Sequence, residues 1–227
     1  RGRCASCKAP FSARYAVVEA VCGLLAVALF WHFDASGAWD LFRVGQWLVM
    51  FFFFWLLLVL SGIDWDTFIL PDSLTLGGLV VFAVLSVAFG LRSLPETLWG
   101  AGLGFFSLAF LSWGYRVLRR REGMGLGDAK LLALVGAVLG PWALVVVVFL
   151  GAACGLLAAV VFLLLRVRRD PPVPYVGISE ADPEFDALFR SSPESWMLTP
   201  MPFGPFLAAG AVLAFFAQDL WASLFFV

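Results

Sequence analysis

Charged side chains are scarce in this sequence. Only 14% of its 227 residues are Asp, Glu, Lys or Arg, and 62% are hydrophobic, whereas a soluble domain has about 25% charged and about 45–50% apolar residues. One water-soluble domain of this size cannot bury so much apolar surface, so lipid must be the solvent for much of the chain. The composition therefore argues against a soluble enzyme, a nucleic-acid-binding protein or a disulfide-built secreted domain.

Histidine is almost absent. The single copy, His32, lies at the end of the first apolar segment. Zinc proteases of the HExxH type need two histidines on one helix, so this sequence excludes them. A Ser-His-Asp or Cys-His site would have to be built around His32, and nothing near it resembles a nucleophile elbow. We interpret His32 as a hydrogen-bonded residue at the membrane interface, which leaves carboxylates as the candidate chemical groups.

Long apolar segments make up most of the sequence. A transmembrane helix needs about 20 mostly apolar residues, and tract 129–165 is too long for one span. Gly140-Pro141 divides it into a short fifth and a full sixth span, because proline cannot continue the helical hydrogen bonding. Backbone groups in lipid must be paired internally, so the spans are predicted to be helices. We predict an all-α polytopic membrane protein with about seven transmembrane helices, at 15–33, 44–63, 74–90, 98–118, 129–165 (two helices) and 202–227.

The distribution of Lys and Arg predicts the orientation, because cytoplasmic loops carry an excess of these residues. Arg43 and Arg92 fall on one side of the predicted membrane. The other thirteen fall on the opposite side, which is therefore predicted to be cytoplasmic: Arg1, Arg3, Lys8, Arg14, Arg116, Arg119, Arg120, Arg121, Lys130, Arg166, Arg168, Arg169 and Arg190. Segment 166–200 is acidic and rich in proline, and we interpret it as an irregular cytoplasmic loop.

Two aspartates stand at the cytoplasmic ends of different spans. Asp64 closes the second span and Asp128 opens the fifth. Each has an ordinary structural interpretation: Asp128 could cap its helix, and Asp64 could be a polar residue that ends a span. An ionisable group at a membrane boundary is nevertheless a functional candidate, and here two of them reach the same face.

Glycines precede the second aspartate, in the sequence Gly123-Met124-Gly125-Leu126-Gly127-Asp128. Glycine permits a positive φ angle and a close approach of the backbone, as the wall of a peptide-binding cleft requires. Two neighbouring aspartates cannot easily ionise together, so they share a proton, which suits aspartyl proteolysis. The main alternative is a secondary transporter, although transporter carboxylates usually lie near the midplane and no inverted repeat is visible.

Several ordered motifs resemble the prepilin peptidases, a branch of the GxGD membrane aspartyl proteases. The similarity extends from residue 4 to about residue 208. The motifs are Cys4-Ala5-Ser6-Cys7, then Ser61-Gly62-Ile63-Asp64, then Leu70-Pro71-Asp72, then Gly125-Leu126-Gly127-Asp128-Ala129-Lys130, and last Met201-Pro202-Phe203-Gly204-Pro205-Phe206.

This resemblance implies an enzyme of the bacterial cytoplasmic membrane with its active site facing the cytosol. Such enzymes cut the basic leader from type IV prepilins and pseudopilins, and many also methylate the new N-terminus with S-adenosylmethionine. The resemblance implies catalytic roles for Asp64 and Asp128. Supporting roles are expected for Asp72, Gly125, Gly127 and Lys130.

Cys4 and Cys7 correspond to the second CxxC of the family. A structural zinc site needs four ligands, so these two cysteines are expected to form half of a site completed by an upstream CxxC. The family's first span is also absent here, and we expect one more helix upstream. The expected organisation is a partial CxxC segment (1–14), six helices with both aspartates (15–165), the acidic loop (166–200) and the last helix (201–227). Glu19 lies in the first span, with Arg14 as a candidate partner.

Overall fold

The computed structural model describes residues 7, 12–34, 40–119, 125–165 and 201–218, and within these ranges it contains helices and no strand. The all-helical prediction is therefore confirmed. The helices are α1 (Ala13–Asp34), α2 (Leu41–Thr67), α3 (Asp72–Ala88), α4 (Leu94–Arg119), α5 (Leu126–Leu139), α6 (Pro141–Leu164) and α7 (Gly204–Phe216).

The lengths and hydropathies of the helices are those of a multi-pass membrane protein. Four are long and apolar enough to cross a bilayer: α1, α2, residues Leu94–Tyr115 of α4, and α6. Helices α3 and α7 are shorter and apolar. The outward surfaces of the bundle carry exposed leucine, valine, phenylalanine and tryptophan side chains, which lipid rather than water would cover.

Helix α5 forms the centre of the bundle. Its residues 131–139 are all buried, and α3, α4, α6 and α7 pack around it. It ends at Gly140, whose φ is 88°, and Pro141 begins α6 directly afterwards. The predicted break at Gly140-Pro141 is confirmed, because this backbone angle suits glycine and proline suits the first turn of a helix.

Glycines allow α4 and α5 to approach closely. A Cβ atom on Gly100 would lie 2.0 Å from the carbonyl oxygen of Gly136, and one on Gly104 would lie 2.4 Å from that of Leu132. Small residues four apart allow helix backbones to touch in membranes. This contact holds α5, with Asp128 in its first turn, against α4.

A similar contact positions α7. A Cβ atom on Gly210 would lie 2.5 Å from the carbonyl oxygen of Val147 in α6. On its other side, α7 packs on α2, where the rings of Phe54 and Phe215 are 5.5 Å apart. The N-terminus of α7 consequently lies beside the C-terminal turn of α2, which contains Asp64.

Candidate active site

A cavity of about 460 Å³ lies where α2, α5 and α7 come together. Asp64 and Asp128 both line it, although they are 64 residues apart in sequence and belong to different helices. The remaining lining residues are Phe68, Ile69, Leu70, Asp72, Gly125, Gly127, Lys130, Met201, Pro202 and Phe203. The structure thus brings together the carboxylates that were predicted to meet at one end of the bundle.

Asp64 is buried in the last turn of α2, with 5% of its surface exposed. The backbone N–H of Gly204 donates a hydrogen bond of 2.9 Å to Asp64 Oδ2. Phe68 ends the helix in the left-handed conformation, with φ 56°, and its N–H bonds to the carbonyl oxygen of Asp64. Asp64 is therefore more than a polar residue at the end of a span, because its carboxylate is enclosed and held.

Asp128 lies in the first turn of α5 but does not cap the helix. The N-cap position belongs to Gly125, three residues earlier. The N-cap interpretation of Asp128 is therefore wrong, and its carboxyl remains available to the cavity that it lines.

Gly125 and Gly127 contribute to the site by lacking a side chain, not by adopting unusual backbone angles. The positive φ angle that glycine permits is not adopted by the described glycines of this motif: Gly125 has φ −69°, and Gly127 is helical. A Cβ atom on Gly127 would lie 3.3 Å from Leu70. Because glycine has no Cβ atom, the start of α5 can approach the connection between α2 and α3.

Asp72 and Lys130 form an ion pair at the cavity. The Lys130 ammonium donates a hydrogen bond to Asp72 Oδ1. Asp72 is the first residue of α3 and Lys130 follows Asp128 by two residues in α5, so the pair joins the starts of these two helices. The lysine is mostly covered, whereas 63% of the aspartate side chain is exposed.

A second ion pair lies outside the cavity lining. Arg14 in α1 binds both carboxylate oxygens of Asp66 in α2, at 2.8 and 2.9 Å. The candidate partnership of Arg14 with Glu19 is not formed; the arginine instead ties α1 to the cavity end of α2. Both side chains are at least half exposed.

The sequence reasoning missed the apolar part of the cavity wall. Phe68, Ile69 and Leu70 connect α2 to α3, and Met201, Pro202 and Phe203 lead into α7. Leu70 and all three residues that lead into α7 lie within motifs quoted for the family resemblance, so the signal was present. No local pattern, however, indicated that the approach to the last helix would face Asp64.

Of the predicted metal ligands, Cys7 is described and exposed, and Cys4 lies outside the described residues. The acidic loop 166–200 also lies outside them. Within the described ranges, no cluster of three or more His, Cys, Asp or Glu could hold a metal ion. His32 is 3.1 Å from the side-chain nitrogen of Gln218, which confirms its interpretation as a hydrogen-bonded residue.

The fold and the cavity define a class of protein: a polytopic helical membrane protein with paired carboxylates at one end of its bundle. Comparisons with known sequences narrow this class. Residues 51–160 match the type IV leader peptidase family, and residues 1–33 match the bacterial peptidase A24 N-terminal domain. The chain belongs to the type IV leader peptidase family.

Curated relatives support this membership. The prepilin leader peptidase/N-methyltransferase of Pseudomonas putida is 35% identical over 224 residues, which are 98% of this chain and 66% of the relative. The protein of that name from Stutzerimonas stutzeri is 36% identical over 225 residues, 98% of this chain and 65% of the relative. The chain thus spans just under two thirds of the length of these relatives. No solved structure matches it.

Proposed function

We propose that this protein is a membrane aspartyl endopeptidase that cleaves the leader peptide of type IV prepilins or pseudopilins. The observation that carries the proposal is that Asp64 and Asp128, from different helices, line one cavity. The names of the relatives, prepilin leader peptidase/N-methyltransferase, supply the substrate class. A secondary transporter is disfavoured, because both carboxylates lie at helix ends on the same side of the bundle and the family is one of peptidases.

The chemistry follows from two neighbouring carboxyl groups that share one proton. The ionised carboxylate removes a proton from a water molecule, and the oxygen of that water attacks the peptide carbonyl carbon. The protonated carboxyl polarises the carbonyl oxygen and then donates its proton so that the amine can leave. The pair titrates as a unit, so the acid and base roles belong to the pair rather than to named residues.

The other predicted residues would bind and orient the peptide. The backbone at Gly125 and Gly127 forms a wall along which an extended peptide can lie, because no side chain projects from it. The Asp72–Lys130 pair would hold the starts of α3 and α5 in register beside that wall. Apolar side chains such as Phe68 and Phe203 would exclude water from the reacting carbonyl.

We propose that the cavity faces the cytoplasm from the bacterial inner membrane. Arg14 and Lys130 lie at the cavity end of the bundle, and most of the remaining Lys and Arg fall in segments on the same side by sequence. Arg43 lies at the other end of α2, and Arg92 packs against Gly140 at the other end of α5. In this arrangement segments 1–14 and 166–200 are cytoplasmic, and the spans lie in 15–165 and 201–227.

Methyl transfer is a second activity suggested by the relatives' names. S-adenosylmethionine would supply the methyl group to the new N-terminus when bound. The polar groups of the described cavity consist of three aspartates and the lysine paired with one of them. They do not form a separate set of partners for an adenine ring and a sulfonium group, so we derive no step of methyl transfer from this cavity. A zinc site at Cys4 and Cys7 would be structural.

The decisive experiment measures cleavage of a purified prepilin by the protein in detergent or lipid nanodiscs. Asp64→Asn and Asp128→Asn nearly preserve size while removing an acid or base. Each should lower turnover by at least about 1,000-fold, and the double variant should cost little more, because the two residues act as a unit. Folding of each variant is checked by its free energy of unfolding in mixed micelles.

Asp66→Asn is the matched control. Asp66 lies two residues from Asp64 on the same helix, but it does not line the cavity and binds Arg14 instead. We expect less than about a threefold change in turnover, because an exposed ion pair contributes only about 0–1 kcal/mol. Folded Asp64→Asn or Asp128→Asn protein that cleaves at the parent rate would contradict the proposed function.

A further inference from the structure

The first turn of α7 donates a hydrogen bond to a carboxylate of another helix. The first N–H groups of a helix have no partner within it. At α7, Phe206 N–H bonds to the carbonyl oxygen of Phe203, and Pro205 has no N–H at all. The N–H of Gly204 is directed to Asp64 Oδ2, 2.9 Å away.

Residue 204 also has no room for a side chain. A Cβ atom there would lie 2.6 Å from Asp64 Oδ2 and 3.2 Å from Asp64 Cγ. All of the nearest atoms belong to the carboxylate and Cβ of Asp64, and none belongs to a backbone. Glycine at this position therefore lets the helix start directly against the carboxylate.

We propose that Gly204 is a positioning residue for Asp64, holding one carboxylate oxygen by its backbone N–H and leaving the other oxygen for water and Asp128. This inference rests on the proposed peptidase function. The positive end of the α7 dipole adds to the attraction for the carboxylate. Phe203, Pro202 and Met201, which precede Gly204, line the same cavity, so one segment both holds the carboxylate and forms the wall.

The test is Gly204→Ala. The three atoms nearest to the added methyl group all belong to the Asp64 side chain, so we expect the carboxylate to turn away in order to accommodate it. We expect the protein to fold and kcat to fall about 10- to 100-fold, because small misplacements of reacting groups cost rates of this order. The KM for prepilin should change less than kcat.

The pH–rate profile separates positioning from a general structural effect. A hydrogen bond donated to a carboxylate favours its ionised form, so its loss should move the acidic limb of the profile to higher pH. Asp128, Asp72 and Lys130 also face the cavity, and all three are unchanged in the variant. A lower rate with an unmoved profile would overturn the inference.

Two glycines serve as matched controls. A Cβ atom on Gly155 would meet only the side chain of Phe206, at 3.5 Å or more, so Gly155→Ala should leave kcat unchanged. Gly210→Ala would press on the backbone of α6 at 2.5 Å. It should lower the stability of the fold and reduce the active fraction without moving the pH–rate profile.

A backbone ester isolates the hydrogen bond from the steric effect. Glycolic acid at position 204, introduced by nonsense suppression during cell-free synthesis into nanodiscs, removes the N–H and adds no Cβ atom. We expect a loss of about tenfold in kcat, in keeping with the loss of a bond to a charged group. This variant decides the question if Gly204→Ala does not fold, and an unchanged kcat would overturn the inference.

Asp64→Asn, measured in the same series, distinguishes a failure of the Gly204 inference from a failure of the proposed peptidase function. If Asp64→Asn is inactive while the ester and Gly204→Ala retain full activity and the parent pH–rate profile, the inference about Gly204 fails and the peptidase proposal stands. If folded Asp64→Asn is active, the proposed function fails and this inference fails with it.

Discussion

At the scale of the residue, the site depends on carboxylates placed where a helix ends. Asp64 in the last turn of α2 and Asp128 in the first turn of α5 are each anchored by an apolar helix. A helix end also leaves backbone N–H groups without partners, and at α7 one of these groups binds Asp64. The two carboxylates are thereby held among packed helices and still line an open cavity.

The Asp72–Lys130 pair leads to a prediction at this scale. We expect Asp72→Asn and Lys130→Gln each to lower the cleavage rate about three- to tenfold, well below the loss from Asp64→Asn. The fold-loss in cleavage rate for the double variant should be smaller than the product of the two single losses, because the effects of residues in contact are not additive. The coupling should amount to about 0.5 kcal/mol and weaken in high salt, because Asp72 is largely exposed.

The measurement is a double-mutant cycle on initial cleavage rates at low and high ionic strength. Asp66→Asn again provides the comparison, as an exposed carboxylate with a different cationic partner. Strictly multiplicative losses for Asp72→Asn and Lys130→Gln would show that the pair does not act as a unit.

At the scale of the element, the contact between α4 and α5 determines where Asp128 lies. Gly100 and Gly136 approach so closely that a Cβ atom on either would lie about 2 Å from the other's carbonyl oxygen. The obstructing atoms are backbone, so no side-chain rotation can relieve the contact. The two helices would have to separate, and α5 would shift.

Gly100→Ala should therefore lower the free energy of unfolding by about 1–3 kcal/mol or more, the range for overpacking. Gly102→Ala, on the same helix, is the control, because nothing lies within 4 Å of its Cβ position. It should leave stability unchanged or raise it by up to about 1 kcal/mol. Unfolding of both variants in mixed micelles provides the comparison, and equal stabilities would contradict the close backbone contact.

At the scale of the whole molecule, the charges at the two ends of the bundle predict its orientation. Ser12 is exposed near the cavity end, and Ser93 is exposed at the opposite end. In a background without native cysteines, we expect Ser12→Cys to react with a membrane-impermeant maleimide only in inverted vesicles. Ser93→Cys should react only from the outside of intact spheroplasts. The opposite pattern would reverse the topology and contradict cleavage on the cytoplasmic side.

Much of the fold could be predicted from the sequence, because its signals are local. Lipid selects long apolar segments and requires their backbones to be helical, which predicts the helices and the break at Gly140-Pro141. The placement of Asp64 and Asp128 at span ends follows from hydropathy alone. Their assignment as a catalytic pair followed from their shared membrane face, was supported by the resemblance, and stays a proposal.

Only the tertiary structure decided which groups are partners. Arg14 binds Asp66, and Gly204 donates to Asp64 across 140 residues of sequence. Gly127 needs its small size to let Leu70 approach, and the backbone there is an ordinary helix. The physical reason is that hydropathy and backbone preference act within one segment, whereas hydrogen bonds and close contacts depend on which helices become neighbours. The sequence by itself determined a helical membrane protein with two aspartates at span ends; the packing of α2, α5 and α7 made those aspartates line one cavity.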